Sequence, residues 1–128
     1  MIVLDSSAAL KAVLPQADKP HFQSLLRKED CISPSLFLSE IASALWKEVR
    51  FNNLSPKIAS GLQPLIYDMT EIIPDADLVQ EALSIALANE HSVYDCLFIA
   101  LSRQKNIPIL TADEKMKRKF STDQFIKV

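Results

Sequence analysis

The sequence contains a single glycine, Gly61, among its 128 residues. Loops that cradle phosphate groups in P-loop and dinucleotide-binding proteins need several closely spaced glycines, so both kinds of nucleotide site are excluded. Long apolar runs are also missing. Stretches such as Ile107 to Leu110 fall far short of the ~20 residues that a membrane span requires. Because Asp5 interrupts the opening apolar run and no basic segment precedes it, we expect no signal peptide and a cytoplasmic protein without membrane attachment.

The sequence has few cysteines and a small net charge. Cys31 and Cys96 are the two cysteines, and both lie in apolar surroundings without metal-type or redox-type spacing, which predicts buried reduced thiols. A formal charge of −2 argues against a protein that coats nucleic acid through bulk positive charge. With 48% hydrophobic and 23% charged residues, the composition is that of an ordinary globular protein, and we expect one domain over residues 1–128.

Short β-like runs alternate with longer helical segments. Strands are predicted at Ile2 to Leu4, Cys31 to Ile32, Glu71 to Ile73 and Ile107 to Leu110, with a further one at Gln124 to Val128. Helices are predicted around Ala8 to Val13, Phe22 to Lys28, Ser33 to Phe51, Ser55 to Met69, Asp77 to Asn89, Ser92 to Gln104 and, shorter and basic, after Thr111. This alternation predicts an α/β/α sandwich with a mostly parallel central sheet of about four or five strands.

Local signals locate several helix starts. Ser33-Pro34 and Ser55-Pro56 each match an N-cap followed by proline at the first helical position. The segments from Ser92 to Asp95 and from Thr111 to Glu114 match capping boxes ahead of helices.

Four acidic residues occupy similar places in this pattern. Asp5 follows the first strand, Glu40 lies two turns into the helix after the second, Asp95 is in the first turn of a helix, and Asp113 follows the strand ending at Leu110. In a parallel α/β sheet, strands end and helices begin at the same edge. Ligands bind there, where the strand order reverses. We therefore expect all four carboxylates at one edge of the sheet.

Each acid alone has a structural explanation, as a helix cap, a macrodipole partner or a solvated side chain. Four converging carboxylates without an equal number of cations repel one another, so either their pKa values rise or a multivalent cation neutralises them. Hard oxygen ligands suit Mg²⁺ or Mn²⁺. Such a site would bind a phosphodiester and activate a water molecule for in-line attack, with one or two ions.

Four blocks of sequence surround these acids: Met1 to Ser7, Ser39 to Trp46, Ser92 to Leu97 and Leu110 to Asp113. In this order and spacing they resemble the motif blocks of PIN domains and, more narrowly, of VapC-type toxins from bacterial toxin–antitoxin pairs. The resemblance runs from the first strand to about Phe120. This chain departs from the pattern at Ser6, where threonine is frequent, and at Cys96, where alanine is common.

The resemblance implies a Mg²⁺- or Mn²⁺-dependent ribonuclease whose acidic site comprises Asp5, Glu40, Asp95 and Asp113. Of these, Asp5, Asp95 and Asp113 would be the metal ligands, and Ser6 and Thr111 would supply neighbouring hydroxyls. The resemblance also implies inhibition by a cognate antitoxin protein and assembly into a homodimer or larger complex.

Positive charge is concentrated beside one of the acids. Lys115, Lys117, Arg118 and Lys119 follow Asp113 directly, and a phosphate-contacting patch and a solvated helix face are about equally good explanations. Lys47, two turns beyond Glu40 on the same helix face, is a further candidate for RNA contact. His21 and His91 show no four-residue spacing with each other or with acids on a clear helix face, so neither is a predicted metal ligand or general base.

Other functions were weighed against the nuclease. Haloacid-dehalogenase-like phosphatases need an acid two residues after the nucleophilic aspartate, where this chain has Ser7. Receiver domains need an acidic pair near the end of the first strand, and that pair is missing. Two alternatives stay open: a non-catalytic PIN-like protein-binding module and a free-standing RNA-processing nuclease.

Overall fold

A computed structural model describes residues 1–15 and 19–127 of the chain. Its strands are β1 (Ile2–Leu4), β2 (Cys31–Pro34), β3 (Thr70–Ile73) and β4 (Ile109–Leu110). Its helices are α1 (Ser6–Val13), α2 (Lys19–Lys28), α3 (Leu36–Phe51), α4 (Pro56–Asp68), α5 (Val79–Asn89), α6 (Val93–Lys105) and α7 (Glu114–Lys119), with a 3₁₀ turn at Asp75–Asp77 ahead of α5.

All four strands form one parallel sheet in the order β3-β2-β1-β4. The chain steps from β1 to β2 to β3 in one direction, and β4 then joins the opposite side of β1. Helix α1 contacts α2 and α3, α3 contacts α4, and α5 contacts α6, which is the grouping expected when right-handed crossovers put α1 to α4 on one face and α5 and α6 on the other. The predicted α/β sandwich with a parallel sheet is confirmed. Its strand order reverses between β1 and β4, which marks the edge where a ligand site belongs.

The core is built around β1 and α6. Ile2, Val3 and Leu4 are at most 1% exposed, as expected for a parallel strand covered on both faces. Helix α6 contacts β1, β2 and β4 as well as α5. Every residue from Cys96 to Ser102 is buried, so α6 is surrounded by other elements rather than lying on the surface.

Both cysteines are buried and free, as the sequence predicts. Burial raises the pKa of the Cys31 thiol to about 11, and it does the same for Cys96. Since the thiolate is the reactive form, both side chains act as small apolar core residues at neutral pH.

The prediction that Ser33 and Pro34 start a helix is wrong. Both residues belong to β2, and the buried Ser33 hydroxyl donates to the Leu4 carbonyl 2.6 Å away. Helix α3 begins three residues after Ser33, and Asp75 Oδ1 accepts from the Leu36 amide at 3.1 Å. The cap therefore comes from a residue after β3, a distant partner that a local sequence pattern does not contain. This later start puts Glu40 little more than one turn into α3, not two.

Other predicted boundaries need smaller corrections. The helix predicted from Asp77 begins at Val79, after the 3₁₀ turn, and the strand predicted from Ile107 begins at Ile109. The last predicted strand is reduced to an isolated parallel bridge between Ile109 and Phe125, and Val128 lies outside the described residues. Ser55 is confirmed as an N-cap, with its side chain accepting from the Ile58 amide.

Within the described ranges, no helix is both long and apolar enough to cross a membrane.

Replacing Ser33 with alanine tests whether this buried hydroxyl fixes β2 against β1. We expect Ser33→Ala to lower the free energy of unfolding by about 1–3 kcal/mol, because a buried polar group loses its hydrogen-bond partner. Denaturant unfolding measures the change. Ser84→Ala, an exposed serine in α5, is the control and should leave stability nearly unchanged. Equal effects of the two substitutions would contradict the role of the Ser33–Leu4 bond.

Candidate active site

Asp5 lies at the edge of the sheet where the strand order reverses. It follows β1 directly, is only 7% exposed, and its Oδ2 accepts from the hydroxyls of Ser7 and Thr111, each at 2.6 Å. Asp5 occupies the N-cap position of α1, but its side chain makes no capping hydrogen bond. Capping therefore does not explain why a carboxylate is buried here.

Thr111 joins β1 to the segment that follows β4. This fully buried residue donates to Asp5, and its Oγ1 accepts from the Asp113 amide at 3.0 Å. The Ser7 hydroxyl in turn accepts from the Ala112 amide at 3.0 Å. These bonds hold two segments more than one hundred residues apart in sequence at one corner of the sheet. Predicting Thr111 as a helix cap was wrong: Asp113 is the N-cap of α7, and its Oδ1 accepts from the amides of Lys115 and Met116.

Glu40 approaches the same corner from α3. Its Oε1 accepts from the Ser6 hydroxyl at 2.8 Å, so the helix after β2 is tied to the helix after β1. Ser6 and Thr111, the two predicted hydroxyls, each contact one of the predicted carboxylates. Ser7, which was not predicted, contacts Asp5 as well. The sequence signal that could have identified Ser7 is its position next to Ser6 in the first motif block.

Asp95 lies in the first turn of α6, as predicted, but it does not complete a capping box. Ser92 alone caps the helix by accepting from the Tyr94 amide. Asp95 Oδ2 instead lies 2.8 Å from Nε2 of His91. The expectation that His91 has no acid at a four-residue spacing was wrong, because Asp95 has that spacing and contacts the imidazole.

One arrangement is common to all four predicted acids. In each, one carboxylate oxygen is held by a hydrogen bond, and no hydrogen bond among residues 1–15 and 19–127 reaches the other. The bonded oxygens are Oδ2 of Asp5, Oε1 of Glu40, Oδ2 of Asp95 and Oδ1 of Asp113. Each side chain is therefore fixed in orientation while keeping one oxygen for a further ligand.

The carboxylates also act on one another electrostatically. Burial raises the pKa of Asp5, its two hydroxyl partners oppose that rise, and the charges of Asp95 and Asp113 add to it. Burial likewise raises the pKa of Glu40 to about 7, against the Ser6 hydrogen bond and with added repulsion from Asp5 and Asp95. No ion pair in the described part of the chain joins a lysine or arginine to any of the four acids. Among the residues described, therefore, no lysine or arginine neutralises these acids through a direct ion pair.

Hard divalent cations fit this donor set, since it offers uncompensated carboxylate oxygens and no soft ligand. Within the described residues, however, no three Asp, Glu, His or Cys side chains lie close enough together to hold one ion as they stand. Asp95 and Asp113 are near enough to Asp5 to raise its pKa, and binding an ion through several of the acids would require their side chains to move.

Beside Glu40 is a groove of about 330 Å³. It is lined by Leu36, Ser39, Glu40, Ser43, Ala44, Lys47 and Tyr94. Lys47 therefore shares a surface with Glu40, as the helical spacing predicts. The other predicted cations lie on α7, where Met116 is buried as an anchor and Lys115, Arg118 and Lys119 are exposed. Lys117 is partly covered and lies 3.5 Å from Glu114.

Residues 2–120 match the PIN domain family. The match spans nearly the whole chain, and the chain belongs to this family. The resemblance to VapC-type toxins is also supported by a relative: Ribonuclease VapC3 of Pyrobaculum aerophilum is 24% identical over 123 residues, covering 93% of this chain and 94% of the relative.

Two solved structures share the fold. The protein PAE2754 from Pyrobaculum aerophilum superposes with a TM-score of 0.78 at 19% identity, covering 97% of this chain and 82% of the other. A toxin–antitoxin complex from Klebsiella pneumoniae contains a chain that matches with a TM-score of 0.68 at 9% identity, covering 91% of this chain and 90% of its own length.

The raised pKa of Glu40 predicts how stability depends on pH in metal-free buffer. A carboxyl whose pKa is higher in the folded than in the unfolded state contributes stability that is fully present below pH 4.5 and lost as pH rises through about 7. Glu40→Gln abolishes this titration, so the variant should gain melting temperature relative to the unmodified protein between pH 5 and 8. Glu71→Gln changes an exposed acid beside Asp68 and Met1 and is the control. A constant difference between Glu40→Gln and the unmodified protein across this range would contradict the prediction.

Proposed function

We propose that this chain is an endoribonuclease that requires Mg²⁺ or Mn²⁺ and is the toxin of a toxin–antitoxin pair. The observation that carries the proposal is made on the described residues and is shared by Asp5, Glu40, Asp95 and Asp113: each has one oxygen fixed by a hydrogen bond, the other without one, and no lysine or arginine as an ion-pair partner. Asp113 also caps α7 and Asp95 also contacts His91, but each of these contacts uses one oxygen and leaves the other. Oriented carboxylates that keep such an oxygen suit a cation that binds a phosphodiester.

Each residue of the proposed site has a role that follows from its position. Asp5, Asp95 and Asp113 would hold the ion, which, when bound, polarises the phosphoryl oxygen and favours deprotonation of an attacking water. Ser7 and Thr111 keep the Asp5 carboxylate oriented. Glu40, with a pKa of about 7, can accept a proton near neutral pH and return it to the leaving oxygen. Ser6 holds Glu40 in place for this transfer.

Positive side chains on both sides of the acids would bind the RNA backbone. Lys47 lies in the groove that begins at Glu40, and α7 carries Lys115, Lys117, Arg118 and Lys119 directly after Asp113. A strand of RNA lying along this edge would place its scissile phosphate at the acids and neighbouring phosphates at the two basic surfaces. Local charge of this kind permits RNA binding by a chain whose net charge is −2.

A cognate antitoxin and a homodimer or larger assembly are part of the proposal. Support comes from a VapC ribonuclease relative and from a solved toxin–antitoxin complex with the same fold. The cytoplasmic location stays a prediction. A free-standing RNA-processing nuclease would have the same chemistry, and growth arrest on expression, relieved by a co-expressed antitoxin, separates the toxin from it. A non-catalytic binding module would cleave no RNA at all.

The central test is Asp95→Asn. The substitution keeps the size of the side chain and removes one negative charge from the proposed ion site, so cleavage of total RNA in Mn²⁺ should fall by roughly 100- to 1,000-fold. Because Ser92 caps α6 without help from Asp95, the free energy of unfolding should change by less than about 1 kcal/mol. Gel analysis of RNA and thermal unfolding on the same preparation measure both quantities.

Asp68→Asn is the matched control for this test. It alters an exposed aspartate in a cleft shared with Met1 and Glu71, and it should retain full activity. Cleavage by the unmodified protein should stop when a chelator replaces Mn²⁺. Normal activity of Asp95→Asn, or activity that persists in chelator, would contradict the proposed site.

The basic surface of α7 can be tested by a double substitution, Lys117→Gln with Arg118→Gln. We expect weaker binding of all single-stranded RNAs, and a log–log salt dependence whose slope falls by roughly 0.7 for each lost phosphate contact. Binding should be measured with cleavage blocked by chelator. Arg27→Gln with Lys28→Gln removes the same charge from exposed positions at the end of α2. Equal losses in both double variants would mean that only overall charge matters.

A further inference from the structure

His91 lies in the short connection between α5 and α6. Its amide donates to the Ala86 carbonyl at 3.2 Å, and Glu90 before it has a left-handed backbone with φ of 50°. This turn ends α5 and directs the imidazole toward the first turn of α6. His91 Nε2 lies 2.8 Å from Asp95 Oδ2, and because an ionised carboxylate only accepts hydrogen bonds, the Nε2–H tautomer is the one that donates to it.

The opposite side of the imidazole is fixed by an aromatic contact. Phe120 lies with its ring centre 5.2 Å from that of His91 at an interplanar angle of 85°, an edge-to-face arrangement. Phe120 is 3% exposed and is the C-cap of α7, the helix for which Asp113 is the N-cap. The His91 ring therefore contacts both the side chain of Asp95 and the helix that starts at Asp113.

We propose that His91 is a positioning residue for the divalent cation site, an inference that rests on the proposed function. By holding Oδ2 of Asp95, it limits the orientations of the carboxylate and leaves the second oxygen without a hydrogen bond in the described part of the chain. Through Phe120 it also fixes the distance between the first turn of α6 and α7. Hydrogen-bond partners of this kind typically raise metal affinity by 10- to 100-fold without touching the ion.

A merely structural role for the His91–Asp95 pair predicts something different. The pair would then stabilise the fold, and its loss would lower the melting temperature in metal-free buffer while leaving the affinity for Mn²⁺ unchanged. The His91 and Asp95 side chains are 19% and 32% exposed, as expected for a pair that stabilises the fold near the surface. Affinity for the metal, measured separately from stability, distinguishes the two.

The experiment titrates Mn²⁺ against the melting temperature of the full chain without RNA, so that no catalytic readout is involved. The variants are His91→Leu, which removes the donor, His91→Asn, which stays polar but is too short to reach Asp95, and His91→Gln, whose terminal amide can replace Nε2. His21→Leu alters an exposed histidine in α2 and is the matched control.

We expect the apparent dissociation constant for Mn²⁺ to rise by roughly 10- to 100-fold in His91→Leu and His91→Asn, and by less than about threefold in His91→Gln and His21→Leu. If the leucine variant does not fold, the asparagine and glutamine variants carry the comparison. Unchanged affinity in His91→Asn would overturn the inference, and so would a glutamine variant as weak as the asparagine one. Absence of any Mn²⁺-dependent stabilisation in the unmodified protein would remove the metal site itself, and with it both the proposed function and this inference.

Discussion

Everything at the candidate site depends on keeping one carboxylate buried. Asp5 follows the central strand at the point where the strand order reverses, and burial there disfavours its charge, as its raised pKa shows. Two hydroxyls, from Ser7 and Thr111, offset part of that cost by donating to a single oxygen. The same two hydroxyls accept from backbone amides after β4. The hydroxyls that stabilise the charge of Asp5 are thus also the groups that join the ends of the two strands flanking the reversal.

The other acids are held by partners that come from their own surroundings. Glu40 is held by a hydroxyl from α1, Asp95 by an imidazole from the turn before α6, and Asp113 by amides of its own helix. Each partner is neutral or part of the backbone, apart from His91 when it is protonated. The carboxylates are therefore held in orientation without a permanent positive charge beside them, and repulsion among the acids persists. This is the electrostatic condition under which a divalent cation binds with benefit to stability.

Prediction from sequence places the four acids at one edge of the sheet because their positions follow from topology. A residue directly after a parallel strand, such as Asp5, lies at the carboxyl edge whatever its neighbours are. It failed at Ser33, where a serine followed by proline matches a helix start but is the end of β2. The deciding interactions there are a bond to Leu4 and a cap supplied by Asp75, both distant in sequence. It failed again at Thr111, whose hydroxyl bonds to Asp5 rather than to its own helix. His91 is a different case. Its four-residue spacing from Asp95 is present in the sequence, and the structure shows that the two side chains are in contact.

The contact between Asp5 and Thr111 spans 106 residues, and this has a consequence for how the acidic corner forms during synthesis. The first strand leaves the ribosome long before β4, so the buried aspartate has no threonine partner until residue 111 has been made. Folding of the earlier strands cannot complete the corner by itself, since one side of β1 stays open until β4 arrives. A nascent or truncated chain that stops before residue 109 contains three of the four acids but no closed corner to hold them. Completion of the acidic corner is therefore coupled to the synthesis of β4 and the residues that follow it.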